Sequence, residues 1–103
     1  MIYTPMSISP KQQRHLKKLA HKLKPVVIIG SAGLTENVIN EIDLSLAHHE
    51  LLKIRINVGD KAARESVINE IAQQTQADFV MHIGHIATFY RPSEKPVIQL
   101  PNI

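Results

Sequence analysis

The sequence predicts an α/β fold in a single compact domain: three helices and a four-stranded mixed sheet, in the order helix, strand, helix, strand, helix, strand, strand. Three observations carry this. Segments with apolar residues at helical spacing alternate with short apolar runs of strand length, which is the signature of layered α/β packing. The last two of those runs are separated by only two residues, so they must pair with each other in antiparallel fashion. The chain has 103 residues, 44% of them hydrophobic, enough for one core and too few for two.

Residues 1–8 show no clear period and read as a tail, 9–92 as the domain, and 93–103, with Pro96 and Pro101, as an extended C-terminal tail. In "SPKQ", Ser9 is an N-cap, Pro10 takes the first helical position and Gln12 is the reciprocal partner of a capping box. Leu16, Leu19, Ala20 and Leu23 then form one narrow apolar stripe, and Pro25 is expected to stop the helix. "VVII", Val26 to Ile29, is apolar on both sides and predicts a central strand covered on both faces. That requires helices on two sides of the sheet, or one helix folded under it.

Thr35 can cap a second helix whose Val38, Ile39, Ile42 and Leu46 share a face and which ends near His48 and His49. "LLKIRINV" alternates: Leu52, Ile54, Ile56 and Val58 face one way, Lys53, Arg55 and Asn57 the other, as in a half-buried strand with a basic outer face. Gly59 and Asp60 turn the chain into a third helix with Ala63, Val67, Ile68, Ile71 and Ala72 as its stripe. "DFVMHI" (Asp78 to Ile83) and "IATFYR" (Ile86 to Arg91) are the hairpin, joined through Gly84 and His85.

Charge is the most informative bulk property. Net charge is +3, but residues 1–24 hold six cations and no acid, while the other 79 residues sum to −3. Such asymmetry suggests a polyanionic partner, nucleic acid before an acidic membrane surface. Four aromatics leave little room for base stacking on aromatic platforms. Cysteine is absent, which excludes disulfides and thiolate metal sites and suits a reducing compartment; cytoplasm is the expectation. There is no signal-peptide pattern at the N-terminus and no apolar run near the roughly 18 residues that span a bilayer.

Half of the four glycines fall in "GSAG", Gly30, Ser31, Ala32 and Gly33, between a strand and a helix N-terminus. Unpaired amides and the positive end of the helix dipole make such a place an anion site, and the missing Cβ atoms let a sugar-phosphate backbone approach closely. Taken alone, the loop is better explained as a tight turn that needs positive φ. It is neither a Walker loop nor GxGxxG, so nucleotide hydrolysis has no support. The neighbourhood changes the balance: a basic helix precedes the loop directly, and a strand showing Lys53 and Arg55 follows it, a coherent arrangement for RNA.

These residues carry a resemblance. "KQQRHLKKLAHKLKPVVIIGSAGLTENVINEID" (Lys11 to Asp43), "HHELLKIRI" (His48 to Ile56), "IGHIATFYRP" (Ile83 to Pro92) and "IQLP" (Ile98 to Pro101) resemble the bacterial YhbY family, the single-domain form of the CRM (chloroplast RNA splicing and ribosome maturation) domain. The resemblance covers nearly the whole chain from Ser9. It implies an RNA-binding module similar in fold to the C-terminal domain of translation initiation factor three, associated with precursors of the large ribosomal subunit. It also implies an RNA surface made of the GxxG loop, Gly30, Ser31, Ala32 and Gly33, with the basic lead-in Lys11, Arg14, Lys17, Lys18, Lys22 and Lys24. Where that family tends to have Lys after the glycine of the final hairpin, this chain has His85, whose charge would depend on pH.

The expectation is therefore a monomeric, non-enzymatic RNA-binding protein that joins ribosome assembly, with no cofactor and no metal. Lys53, Arg55 and Arg91 are added to the contact set, although the sheet face bearing Lys53 and Arg55 could equally meet only water. His82 and His85 lack a third ligand nearby in sequence, Ser31 lacks a nucleophile elbow, and Tyr90 can either stack on a base or pack. The alternative is a small-ligand protein holding a nucleotide or phosphorylated metabolite at the Gly30 to Gly33 helix N-terminus; a blander one is a basic face for an acidic protein.

Overall fold

The computed structural model describes residues 8–101, so most of the expected N-terminal tail lies outside the described residues. Its elements are α1 (Pro10–Ala20), β1 (Val27–Ile29), α2 (Glu36–His49), β2 (Leu51–Ile56), α3 (Lys61–Thr75), β3 (Asp78–Ile83) and β4 (Ile86–Tyr90). The strands lie in the order β1-β2-β4-β3, with β1 and β2 parallel and the other two pairs antiparallel. The predicted α/β class, element order and mixed sheet are what the structure has.

Local chemistry sets each helix start. The Ser9 hydroxyl accepts the Gln12 amide at 3.1 Å and the Gln12 side chain accepts the Ser9 amide at 3.0 Å, a complete capping box. Thr35 accepts the Val38 amide at 3.2 Å to begin α2, and Asp60 accepts the Ala63 amide at 2.9 Å to begin α3.

Three expectations need correction. α1 ends at Ala20, well before Pro25, because the chain must leave the helix to bring the Val26 amide onto the Lys53 carbonyl at 3.1 Å. Only Leu16 and Ala20 of its stripe are buried; Leu19 and Leu23 are each 39% exposed. β1 is an edge strand, not a central one: Val27 and Ile29 are buried while Ile28 is exposed. An unbroken apolar run conceals this period of two, since a strand exposed on one face reads like a covered one when its outward residue is also branched and apolar.

The core has two parts on opposite faces of the sheet. Val27, Ile29, Leu52, Ile54, Ile56 and Phe89 pack under α2 and α3. Leu51, Val80 and Tyr90 pack on the other face under Leu16 and Ala20 of α1, together with Ile8. Ile8, expected in the tail, is thus part of the core. So are Ile98 and Leu100, half-buried against this second cluster, and Gln12 donates to the Pro101 carbonyl at 3.0 Å. The C-terminal stretch has no regular structure, yet it is fastened to the domain.

Candidate nucleic-acid interface

α1 lies on the outer face of the sheet and presents its charge away from it. Lys11, Arg14 and Lys18 fall at i, i+3 and i+7, one line along the side opposite the buried Leu16 and Ala20, and all three are exposed. Lys17 stands at the flank, in a groove along the β3 edge that Lys61 and Glu65 also line. Lys22 and Lys24, past the helix end, are exposed as well. With no acid before Glu36 in the sequence, nothing on α1 neutralises these cations locally.

β2 continues the basic surface. The Lys53 ammonium donates to the Leu23 carbonyl at 3.1 Å, which holds it beside Lys24 at the rim of an apolar groove of about 440 Å³ that Leu19, Val26 and Leu51 also line. Arg55 is exposed, and its Nε donates to Asn57 Oδ1 at 3.2 Å, which fixes the direction of the guanidinium. By contrast α2 and α3, on the inner side of the sheet, carry five acids, Glu36, Glu41, Asp43, Glu65 and Glu70, against two cations, Lys61 and Arg64. The charge asymmetry of the sequence is therefore a spatial one.

The glycine loop follows β1 directly. The Gly33 amide donates to the Gly30 carbonyl at 3.0 Å, closing a turn, and the Thr35 amide donates to the Gly33 carbonyl at 3.2 Å. Gly33 has φ of 76°, a conformation that side chains disfavour; Gly30 does not. A Cβ on either would meet nothing within 4 Å. The turn therefore explains Gly33, while Gly30 has no internal reason to lack a side chain and leaves its backbone open to approach from outside. The amides of Ser31, Ala32 and Leu34 have no hydrogen-bond partner among the described residues. The helix N-terminus itself is less welcoming to an anion than the sequence suggests, since Thr35 caps it and the first turn carries the Glu36 carboxylate.

Strand register decides which candidates come together. Ile29 pairs with Ile56, and the Asn57 amide donates to the Ile29 carbonyl at 2.9 Å, so Gly30 emerges at the C-terminal end of β2, next to Arg55 and Asn57. The turn with His85 joins them there: the Ile56 amide donates to the His85 carbonyl at 2.7 Å, and His85 Nδ1 lies 3.1 Å from the Ile56 carbonyl, which can only accept, so Nδ1 is the donor. Arg91 is not brought to this end. It follows Tyr90, which pairs with Leu51 at the start of β2, about 17 Å away at a strand's usual rise. Its guanidinium is held by Asp43 Oδ1 at 2.5 Å, the Asp43 carbonyl at 2.9 Å and the Thr75 carbonyl at 2.8 Å.

The family model of the CRS1/YhbY (CRM) domain matches residues 8–91. The chain belongs to this family. A Haemophilus influenzae member named an RNA-binding protein is 48% identical over 95 residues, 92% of this chain and 96% of that one. A Pseudomonas aeruginosa member, named a probable RNA-binding protein, is 36% identical over 98 residues, 95% of this chain and 94% of its own length. A Staphylococcus aureus protein solved in solution shares the fold with a TM-score of 0.80 at 33% identity, covering 91% of this chain and 99% of that one. The shared fold and the resemblance read from the sequence agree.

Sequence reasoning missed two features of this CRM domain. One is the buried Glu50, whose neighbours in sequence give no sign that a segment more than forty residues away supplies its partners. The other is Ile28, which stands exposed beside Arg55 as its Cα partner on β1. The signal for Ile28 was present in principle, because Lys53, Arg55 and Asn57 already marked the outward parity of the neighbouring strand.

Proposed function

We propose that this protein binds ribosomal RNA in precursors of the large subunit, as a monomeric assembly factor of the cytoplasm that acts by binding and not by catalysis. The observation that carries the reading is the joining of exposed cations from α1 (Lys11, Arg14, Lys17, Lys18), the connection (Lys22, Lys24) and β2 (Arg55), with the half-buried Lys53 between them, on one side of the sheet, ending at the open Gly30 to Gly33 turn. Phosphates approach a continuous basic surface cheaply, because each contact releases condensed counterions, and a turn with glycine at both ends and only Ser31 and Ala32 between admits the backbone they belong to. The names of the relatives support RNA as the partner. No helix among the described residues is long and apolar enough to cross a membrane. Glu50, a carboxylate held well below its ordinary pKa by hydrogen bonds, is used to fasten the C-terminal stretch and stands apart from this surface.

Sedimentation of a lysate through sucrose at low and moderate salt tests the proposal. Comigration of the protein with particles at or just below the large subunit, lost as salt rises, is the expected result. A protein found only at the top of the gradient at low salt would refute the ribosomal assignment.

A further inference from the structure

The outer face of the sheet is only partly covered. α1 closes one end, over Leu51 and Tyr90, and leaves two cross-strand rows without a helix over them, the first largely exposed and the second half-buried to buried. One row runs across all four strands as Ile28, Arg55, Ile86 and Ile83, each the Cα partner of the next. The other holds Lys53, Thr88 and Met81. Ile28 is 62% exposed and Ile83 is 68% exposed. Between the rows lies a small depression of about 170 Å³ lined by Lys53, Met81, Ile83, Ile86 and Thr88. Thr88 is fully buried, and its hydroxyl has no hydrogen-bond partner among the described residues. A buried hydroxyl left unpaired costs free energy unless something else completes it.

Resting on the RNA reading above, we infer that this open face receives unpaired nucleotides of the same RNA, with one base laid on the Arg55 guanidinium between Ile28 and Ile86. Four observations select this occupant. The face carries Lys53 and Arg55 and no acid in either open row, which suits a polyanion. It is continuous with the glycine turn, since Ile28 lies two residues before Gly30. Its one planar group is Arg55, held in direction by Asn57, and a guanidinium plane is a platform on which an unstacked base lies while branched aliphatic chains flank it. The Thr88 hydroxyl, at the floor of that depression and closed off in the free protein, becomes available as donor and acceptor to the polar edge of a base or to a ribose hydroxyl when the half-buried Lys53 side chain moves aside. A duplex presents phosphates and a shallow groove and cannot lay a base there, so the face selects single-stranded or looped RNA.

Fluorescence anisotropy with an unstructured oligoribonucleotide and with a fully paired hairpin of the same composition tests this. The wild-type protein is expected to prefer the unpaired RNA. Arg55→Lys, which keeps the charge and removes the plane, should weaken that binding about five- to tenfold with the salt slope unchanged, and Ile28→Thr, still β-branched and outside the cation set, about threefold while its hairpin binding stays as it was. Wild-type affinity of both variants for unpaired RNA overturns the inference and leaves the RNA reading standing. Absence of salt-dependent binding to either RNA removes both. Sedimentation equilibrium provides a further check: a wild-type dimer dissociated by Ile28→Thr would assign the row to a second copy of the chain and overturn the inference.

Discussion

The Glu50 carboxylate accepts both the backbone amide and the hydroxyl of Ser93, at 2.9 and 2.7 Å. Its other oxygen accepts the amides of Val97 and Ile98, at 3.0 and 2.9 Å. Burial alone would raise the pKa of this group, but the hydrogen bonds from Ser93, Ile98 and Val97 outweigh it and hold the carboxyl at about 2, against an ordinary 4.5. They also keep Glu50 at φ 66° and ψ −43°, a backbone conformation that costs a non-glycine residue free energy. One side chain thus ties the end of α2 to the C-terminal stretch.

Because the folded-state pKa lies below the unfolded one, this contribution is present above pH 4.5 and is lost as pH falls toward 2. The displacement corresponds to about 3 kcal/mol. Thermal unfolding followed by circular dichroism should therefore show a melting temperature falling between those limits. Glu50→Gln, which sets an amide donor against amide donors, should lower the neutral-pH melting temperature by about 10 °C or more and flatten that acid dependence. An unchanged acid profile in the variant would show that Glu50 does not fasten this segment.

What could be read beforehand follows from how local each signal is. Ser9, Thr35 and the Gly84 to His85 turn act on residues within three or four positions, so the helix starts and the hairpin were legible. The edge position of β1 was not, because Ile28 and Ile29 are chemically alike and only the neighbouring strand distinguishes their faces. Glu50 and Arg91 depend on partners more than forty residues away in sequence, and no periodicity encodes those. In the candidate site the cations and glycines were visible, whereas their grouping required the register of β1 on β2.

Arg91 separates a structural cation from an RNA-facing one. Its guanidinium joins Asp43 of α2 to the Thr75 carbonyl at the end of α3, far along β2 from the glycine turn. Arg91→Ala should destabilise the fold by about 1–2 kcal/mol, the scale of charge-assisted hydrogen bonds at a partly exposed site, as read from urea unfolding. RNA affinity and its salt slope should stay at the wild-type level. A slope reduced by nearly one unit would instead return Arg91 to the interface.

The two glycines of the turn call for different substitutions. At Gly33 any side chain meets the positive φ, so lost binding there could reflect a reshaped turn. Gly30 has no positive φ, and a Cβ there has open space. Gly30→Asp should keep the melting temperature within a few degrees and weaken RNA binding about tenfold or more, by placing a carboxylate where phosphate approaches, while Gly30→Ala should cost much less. Equal affinity of Gly30→Asp and wild type would remove the turn from the interface.

The line of Lys11, Arg14 and Lys18 gives the sharpest electrostatic test, because these side chains face solvent and their loss leaves the packing of Leu16 and Ala20 untouched. If about six cations of the surface meet phosphates, log K should fall with log salt at a slope of about −4 or steeper. Replacing all three by Gln, a good helix former, should make that slope shallower by about two units and lower the affinity most at low salt. Screening supplies the control: as ionic strength rises, variant and wild type should converge, because what the variant lacks is the same counterion release that salt suppresses. A variant with wild-type slope would mean that RNA meets the sheet face and the turn without α1, and that the cations of the helix serve solvation alone.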